Sequence, residues 1–396
     1  MIRTFNSSPP TVGIELEWQL VDTSTLDLRD GVVPLVELMR DEPRVKPELL
    51  QTAVETVTLP GESTAALRPA LYDVVGRLVD AAAPLGMAIV GAGTHPFCER
   101  VIPVTPLPRY LAMSSSQGYL AHAHVAYSLQ THVGMPSGEV GVRVMRDLRP
   151  FLPVLLALSA SSPFFHGHET AFASYRQRVL AAARSYGTPP RFDDWQEFLG
   201  FLDTVEHARM FASYRDMHWD VRLRPDFGTI EVRIMDAQPT LERALALSAL
   251  IHCLLVHLAS AKPSDAECLR LVPWWMEKEN AYRASHQGID AWLVCDDGGT
   301  ARPLRSVASD LFELIAPTAR ALGEEEDLAR ARAVLDLGPP YVGQLDVFRR
   351  TGSLREVVRA LANELLEELG RATIDAGPQT NDRRLEGDLA AMHRTA

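Results

Sequence analysis

Two segments of this chain alternate between apolar and polar residues with a period of two. In residues 12–21 the apolar side chains fall at every second position, and Glu15 and Glu17 lie between them. In residues 229–236 the same alternation separates an apolar set from Glu231. Successive strand side chains point to opposite faces, so each segment predicts a strand with one apolar and one charged face. Such strands favour an antiparallel sheet that packs one face on a core.

Further patterns predict the remaining elements. A third strand is expected near residues 125–134 and a short one at 87–90. Helices are expected from about residue 67 to that short strand, and over residues 148–159, 195–210, 241–258, 311–322 and 354–369. We therefore predict an α+β fold with helices packed on one face of an antiparallel sheet. Residues 1–373 are expected to form a single catalytic domain, and the polar residues 374–396 a flexible tail.

The charge balance excludes some classes of function. The chain has 396 residues, with 39 Lys and Arg against 51 Asp and Glu, a formal net charge of −12. Nucleic acid binding needs clustered basic residues, so no nucleic-acid partner is expected. A binding module for anionic ligands is also disfavoured, unless metal cations lie between the protein and the ligand.

Cysteine usage and hydropathy bear on the compartment. The four cysteines, at positions 98, 253, 268 and 295, form no CxxC pair, which favours a reducing cytoplasm. The N-terminal residues contain no apolar signal-peptide core. Residues 244–261 are uncharged and long enough for a membrane span, but they include His252 and His257, so we interpret them as a buried core helix. No membrane association is expected.

Glu15 and Glu17 are the first candidates for chemistry. They lie two apart on one strand face, where two carboxylates repel each other unless a cation lies between them. Mg²⁺ is the usual partner because it takes oxygen ligands, whereas the alternative is a solvated outer face. Glu231 and Arg233 repeat the charged pattern on the second strand. If both strands belong to one sheet, these side chains converge on one surface.

Two further segments could extend this surface. Residues 49–58 contain Glu55, and Gln51 lies four positions before it, on the same face of either a strand or a helix. His132 could supply a nitrogen ligand, although a lone histidine near a glycine is more often structural.

Other motifs are interpreted as unrelated to metal or nucleotide binding. The His-X-His pairs at residues 122–124 and 166–168 lack the HExxH pattern of zinc sites. The glycine-rich loop at residues 91–96 has a proline in place of the third glycine of a dinucleotide motif. Neither a Walker A loop nor a GxSxG elbow occurs, which removes the common P-loop and hydrolase interpretations.

Seven sequence blocks occur in an order that matches a known family. They are GIELEWQLVD from Gly13, GAGTHPF from Gly91, THVGMPSGE from Thr131, LSASSPFFHG from Leu158, WQEF from Trp195, MHWDVRLRPDFGTIEVRIMD from Met217 and GSLREVV from Gly352. The sixth block is the most specific. Over nearly its whole length the chain resembles the type 2 glutamate–cysteine ligase family, the carboxylate–amine ligases found in bacteria.

The resemblance implies both a fold and a reaction. The implied fold is glutamine-synthetase-like, with a curved antiparallel sheet that forms a funnel-shaped site and helices on its outer face. The implied reaction uses ATP and Mg²⁺, with Mn²⁺ as an alternative, to convert the γ-carboxylate of glutamate into an acyl phosphate. An amine, that of cysteine in the parent activity, then forms the γ-glutamyl amide. The partners are therefore small molecules, and a homo-oligomer is left open.

Individual residues take implied roles from the family pattern. Arg233 would hold a phosphate or a substrate carboxylate and act with Glu231 in catalysis. Metal-binding or metal-adjacent roles fall on Glu15, Glu17, Glu55, His132 and Glu231. Further substrate or nucleotide contacts fall on Arg222, Arg176, His95, Arg109 and Tyr110.

Two departures from the family pattern stand out. The family often has glutamate at the position of Gln51 and histidine at the position of Gln130, so both changes are expected to weaken or delete a ligand. The alternatives are a ligase with a different donor or acceptor in specialised metabolism, a phosphotransfer enzyme or ATPase, and a non-catalytic protein that binds ATP or amino acids.

Overall fold

The predicted strands lie together in an open antiparallel sheet. The structure, a computed structural model, describes residues 4–183, 185–211, 216–260 and 270–375. Cys268 and all but the first two residues of the predicted tail 374–396 therefore lie outside the described residues. The described strands are β1 (Val12–Asp22), β2 (Val45–Pro47), β3 (Ala53–Val57), β4 (Met87–Val90), β5 (Ser128–Gly134), β6 (Phe164–Phe165), β7 (His168–Glu169), β8 (Val221–Arg224), β9 (Thr229–Asp236), β10 (Trp292–Val294) and β11 (Ala301–Pro303).

The long strand β1 organises the main sheet. The strand order is β2-β3-β1-β5-β9-β8, and β4 also pairs with β1. One edge of β1 pairs with β3, and the other pairs with β5 and then with β4, all antiparallel. The pairs β6–β7 and β10–β11 form two separate hairpins. The two segments with the clearest alternation, β1 and β9, are therefore separated by a single strand, β5. This arrangement allows their charged side chains to lie on one surface.

Fourteen α-helices surround the sheet in the described part of the chain. They are α1 (Val32–Leu38), α2 (Thr64–Ala82), α3 (Pro108–Gln117), α4 (Tyr119–Ala123), α5 (Gly138–Leu148), α6 (Leu152–Ser159), α7 (Arg176–Leu180), α8 (Trp195–His207), α9 (Leu241–Ser260), α10 (Trp274–Gln287), α11 (Leu304–Leu322), α12 (Glu325–Leu337), α13 (Pro340–Thr351) and α14 (Leu354–Glu368).

The apolar face of the sheet forms the main core. The alternating residues of β1, from Ile14 to Leu20, are at most 2% exposed and pack with helices α2, α5, α6 and α9. A smaller core that includes α14 covers the other face around β4. The predicted α+β class, with an antiparallel sheet and packed helices, is confirmed. The charged side chains of the sheet lie between these two cores, where they can form a functional site.

Helix α9 is the core helix that its composition predicts. It is long and apolar enough to cross a membrane, but 72% of its most apolar window is buried inside the protein. His252 is fully buried in this helix, and both of its ring nitrogens have polar partners. Nδ1 lies 2.9 Å from Oε1 of Glu324, and Nε2 lies 2.8 Å from the carbonyl oxygen of Pro10. The cytoplasmic location and the single-domain division remain predictions.

Side-chain hydrogen bonds cap the first turns of α8 and α14. The side chain of Asp194 accepts a hydrogen bond from the Glu197 amide at 2.8 Å at the start of α8. Ser353 accepts one from the Glu356 amide at 3.4 Å at the start of α14, but the Glu356 side chain pairs with Arg359 instead of completing a capping box.

Candidate active site

Three carboxylates meet where β1, β3 and the segment after β2 come together. Glu17 of β1 lies opposite Glu55 of β3, and Glu48 follows β2 directly. The possible ligand oxygens of these three residues lie within 4.8 Å of one another. We call this group the acid cluster. Lys46 is its nearest cation in the described chain, 3.6 Å from Glu55, and the Lys46 side chain is half exposed.

The acid cluster carries more negative charge than its surroundings balance. Burial, together with the charge of Glu17, raises the pKa of Glu48 to about 7. Burial, and then the charges of Glu15 and Glu48, raises the pKa of Glu55 well above its usual range. A hard divalent cation would relieve both costs because it takes oxygen ligands and adds two positive charges. The donor set of the acid cluster therefore fits Mg²⁺.

Three arginines surround a fully buried carboxylate on the neighbouring part of the same face. Arg222 donates to both oxygens of Glu231, at 2.8 and 3.0 Å, and Arg224 donates to one of them at 3.1 Å. Arg233 donates to Glu231 as well. Burial would raise the pKa of Glu231, but the charges of Arg222 and Arg233 outweigh burial and hold it well below its usual range. Glu231 therefore stays ionised and orients the arginines.

Glu15 and His132 lie beside Glu231 and form a second possible ligand group with it. The His132 Nε2 lies 3.1 Å from an oxygen of Glu15 and 3.9 Å from one of Glu231, and all possible ligand atoms are within 4.8 Å of one another. Unlike the acid cluster, this group already contains a carboxylate whose two oxygens accept hydrogen bonds from arginines. A cation there would compete with those bonds, so this group fits Mg²⁺ less well.

Gln130 connects the acidic and basic halves of the face. Its Nε2 donates to Glu17 at 2.7 Å, and its Oε1 accepts from Arg233. The amide can do both because it carries a donor and an acceptor. Gln130 therefore acts as a bridge between the two halves.

A cleft of about 440 Å³ lies over this face. Its walls include Glu15, all three members of the acid cluster, and Arg222, Arg224 and Arg233. Helix α3 also contributes to the walls and places Arg109 and Tyr110 at the cleft. Arg109 is exposed and forms no hydrogen bond or ion pair with the residues that the structure describes. It is therefore available to an anionic ligand.

Comparison with known proteins shows the relationship of this chain. Residues 11–360 match the model of the family described as glutamate-cysteine ligase family 2. A relative from Trichormus variabilis, named "Putative glutamate--cysteine ligase 2", is 43% identical over 92% of this chain and 95% of its own length. The chain belongs to glutamate–cysteine ligase family 2. It is an ATP-dependent carboxylate–amine ligase of the glutamate–cysteine ligase type.

Solved structures show the same fold at low identity. The glutamate–cysteine ligase of Francisella tularensis in complex with AMP has a TM-score of 0.66 at 12% identity, covering 94% of this chain and 91% of that one. A bifunctional glutathione synthetase of Pasteurella multocida has a TM-score of 0.64 at 13% identity, covering 91% of this chain and 52% of that one. The family assignment therefore agrees with the fold.

Arg176 and His95, which were expected to contact substrate or nucleotide, both contact backbone carbonyl groups instead. Arg176 lines the cleft, but its guanidinium donates to the carbonyls of Ile234 and Arg233, both at 3.1 Å. Those carbonyls lie where the pairing of β5 with β9 shifts register. His95 does not line the cleft. It is buried, with Nε2 3.0 Å from the Leu26 carbonyl, and burial lowers its pKa to about 4.

The expected position of Gln51 beside Glu55 is not found. Strand β3 begins only at Ala53, and the Gln51 amide donates to the carbonyl of Val104 at 3.3 Å, away from the cleft walls. The acid cluster instead takes its third carboxylate from Glu48, so the expected loss of a ligand at Gln51 does not apply.

Two of the sequence motifs without an assigned role are structural here. A Cβ on Gly91 would lie 1.9 Å from the carbonyl oxygen of Gln238, which explains the glycine-rich loop by close packing. His122 lies 2.8 Å from the Ile102 carbonyl and 3.2 Å from the Ser114 hydroxyl. Neither His-X-His pair contributes to a possible metal group in the described part of the chain.

The raised pKa values of the acid cluster predict a pH-dependent stability. A carboxyl whose pKa is higher in the folded state stabilises the protein at low pH, and that contribution is lost as pH rises from about 4.5 through about 7 for Glu48. We expect the Tm without metal to fall from pH 5 to pH 8, and Mg²⁺ to raise Tm more at pH 8. Differential scanning calorimetry measures both effects. In the double variant Glu48→Gln, Glu55→Gln, the fall in Tm with pH and the rise in Tm with Mg²⁺ should both be much smaller. An unchanged dependence in that variant would contradict the assignment.

Proposed function

We propose that this ligase joins the γ-carboxylate of glutamate to an amine through an acyl phosphate. A carboxylate oxygen attacks the γ-phosphorus of ATP, the bond to the β-phosphate oxygen breaks, and ADP leaves. The amine nitrogen then attacks the acyl carbon, the carbon–oxygen bond to phosphate breaks, and the nitrogen loses a proton. The family assignment supports ATP-dependent ligation, and the charge distribution in the cleft supports the individual steps.

The acidic half of the cleft would hold the divalent ions. Glu17, Glu48 and Glu55 fit Mg²⁺, with Mn²⁺ as an alternative, because their oxygens are close together and poorly neutralised. The bound cation supplies neutralisation and alignment of phosphate oxygens, which reaction between two anions requires. Through that cation, these three side chains of the sheet face would bind and orient the nucleotide.

The basic half of the cleft would hold the donor carboxylate and the transferred phosphate. Arg233 lines the cleft and is fixed from two sides by Glu231 and Gln130. A fixed guanidinium stabilises developing charge without reorganising during the reaction. Arg109 of α3 also lines the cleft, where its exposed side chain can bind an anion.

One observation carries this proposal. An acid cluster that lacks positive charge and an arginine group anchored by Glu231 lie on one sheet face in the same cleft. Such a surface accepts a cation–phosphate complex on one half and a carboxylate on the other. A site for an anion alone would not need the acid cluster, and a site for a metal alone would not need the arginines.

The test is a ligation assay. Enzyme, ATP, Mg²⁺ and glutamate are mixed with a panel of amines, and ADP and products are followed by chromatography and mass spectrometry. We expect ADP and a γ-glutamyl amide in equal amounts with at least one amine. ADP with a phosphorylated product or with phosphate alone would indicate phosphotransfer or ATP hydrolysis. Nucleotide binding without turnover would indicate a binding protein. Either outcome would reject the proposal.

A further inference from the structure

Three rings stand in a row along one wall of the cleft. Tyr186 is in the middle, its ring centre 5.6 Å from that of His124 and 5.4 Å from that of His218. The Tyr186 and His218 rings are stacked with only 14° between their planes, whereas His124 meets Tyr186 edge-on at 71°. All three line the cleft. We call them the ring wall.

The ring wall and Gln117, which lines the same cleft, contain buried polar atoms without partners among the described residues. Nε2 of His124 and Nδ1 of His218 are buried and have no hydrogen-bond partner among the described residues, and the same holds for Oε1 of Gln117. His124 is only 9% exposed. A buried donor or acceptor left unpaired is costly, so such atoms are normally satisfied by water or by a ligand. Because these three residues line the cleft, a cleft ligand can supply the missing partners.

The ring wall is also uncharged at neutral pH. Burial lowers the pKa of His124. Burial, followed by the charges of Arg233 and Arg222, lowers the pKa of His218 well below its usual range. Each neutral imidazole offers one donor and one acceptor. Two apolar side chains, Met113 and Leu180, line the same cleft. This combination favours an uncharged, planar group that can stack and form hydrogen bonds.

The position of the ring wall separates it from the charged subsites. Tyr186 lines the same cleft as Arg233 and Glu17, and the charges of both residues influence the pKa of Tyr186, so the ring wall lies near the centre of the charged sheet face. The triphosphate and the two carboxylates of a glutamate donor need cations, which the wall lacks. The acceptor must bring its nitrogen to the activated carboxylate at that centre, whereas the base of ATP is separated from it by the ribose and phosphates.

We propose that the ring wall binds the acceptor and selects an amine with an uncharged aromatic side chain. This inference rests on the proposed ligation and names the class of its acceptor. Contact with these three rings favours an aromatic side chain over an aliphatic one, and the unpaired atoms of His124, His218 and Gln117 can pair with polar substituents on that ring.

The test compares acceptors in wild type and in two tyrosine variants. We expect kcat/KM for tyramine and phenylalanine to exceed that for propylamine and alanine by about tenfold. Tyr186→Leu should remove most of this ratio through KM of the aromatic acceptor. Tyr282→Leu is the matched control, because Tyr282 stacks on His286 with 12° between the rings but does not line the cleft. That variant should keep the wild-type ratio.

A binding measurement distinguishes this inference from the proposed function. Calorimetric titration of the enzyme with tyramine, propylamine and adenosine needs no turnover. Tighter binding of tyramine than of propylamine, weakened about tenfold by Tyr186→Leu alone, supports the ring wall even if ligation is absent. Equal affinity for the two amines overturns it. Loss of adenosine binding in Tyr186→Leu without an effect on tyramine also overturns it and assigns the wall to the nucleobase. Turnover without aromatic preference leaves ligation intact and rejects the inference.

Discussion

Glu231→Gln is expected to lower kcat/KM for ligation by about 100-fold or more. The substitution keeps the size of the side chain but removes the one negative charge that Arg222, Arg224 and Arg233 share. Without that charge the guanidiniums repel one another and Arg233 loses its fixed position. Breaking a buried ion pair from one side also costs about 3–5 kcal/mol in the free energy of unfolding. Steady-state kinetics and chemical denaturation measure the two effects.

Glu277→Gln separates the catalytic effect from the loss of stability. Glu277 is also buried and receives two hydrogen bonds from Arg149, but neither residue lines the cleft. We expect this variant to lose comparable stability and to keep the wild-type kcat/KM when both proteins are assayed well below their Tm. If Glu231→Gln is as active as Glu277→Gln, the arginine group does not stabilise the reaction.

Glu55→Gln is expected to raise the Mg²⁺ concentration for half-maximal activity at least about tenfold. The same substitution should raise Tm at pH 8 in the absence of metal, because it removes a buried charge from a cluster whose members repel one another. A lower affinity for Mg²⁺ together with a higher Tm in the absence of metal would identify Glu55 as a metal ligand. Activity titrations with Mg²⁺ and calorimetry with chelator measure the two quantities.

Glu42→Gln is the matched control for this carboxylate. Glu42 is 5% exposed, but it pairs with Arg44 and Arg77, and its hydrogen bonds with Arg44 lower its pKa to about 2. We expect Glu42→Gln to lower Tm and to leave the Mg²⁺ requirement unchanged. An unchanged Mg²⁺ requirement in Glu55→Gln would remove Glu55 from the metal site.

The strands and their charged face could be predicted because they follow a simple period. The alternation located β9 at its observed bounds and β1 to within one residue. It also placed Glu15, Glu17 and Glu231 on one face. Arg224 could have been found in the same way, since it lies two positions after Arg222 on β8 and therefore on the same side.

The residues that the sequence reasoning missed lie where no period applies. Glu48 follows a three-residue strand and reaches the acid cluster only through the pairing of β2 with β3. Gln51 was expected on the same face as Glu55 because one regular element was assumed to contain both residues. Strand β3 begins only at Ala53, and Gln51 lies in the turn before it. Tyr186 and His218 lie outside the regular strands and helices and meet through tertiary packing. Residue spacing carries no signal for such contacts.

The most direct measurement uses the ligation assay with glutamate labelled with ¹⁸O in its γ-carboxylate. If an oxygen of that carboxylate attacks the γ-phosphorus, breaking the acyl–oxygen bond leaves one labelled oxygen on the released phosphate. We predict one ¹⁸O in the phosphate for each γ-glutamyl amide formed, detected by mass spectrometry. Amide formation with unlabelled phosphate would contradict activation of the carboxylate in this cleft.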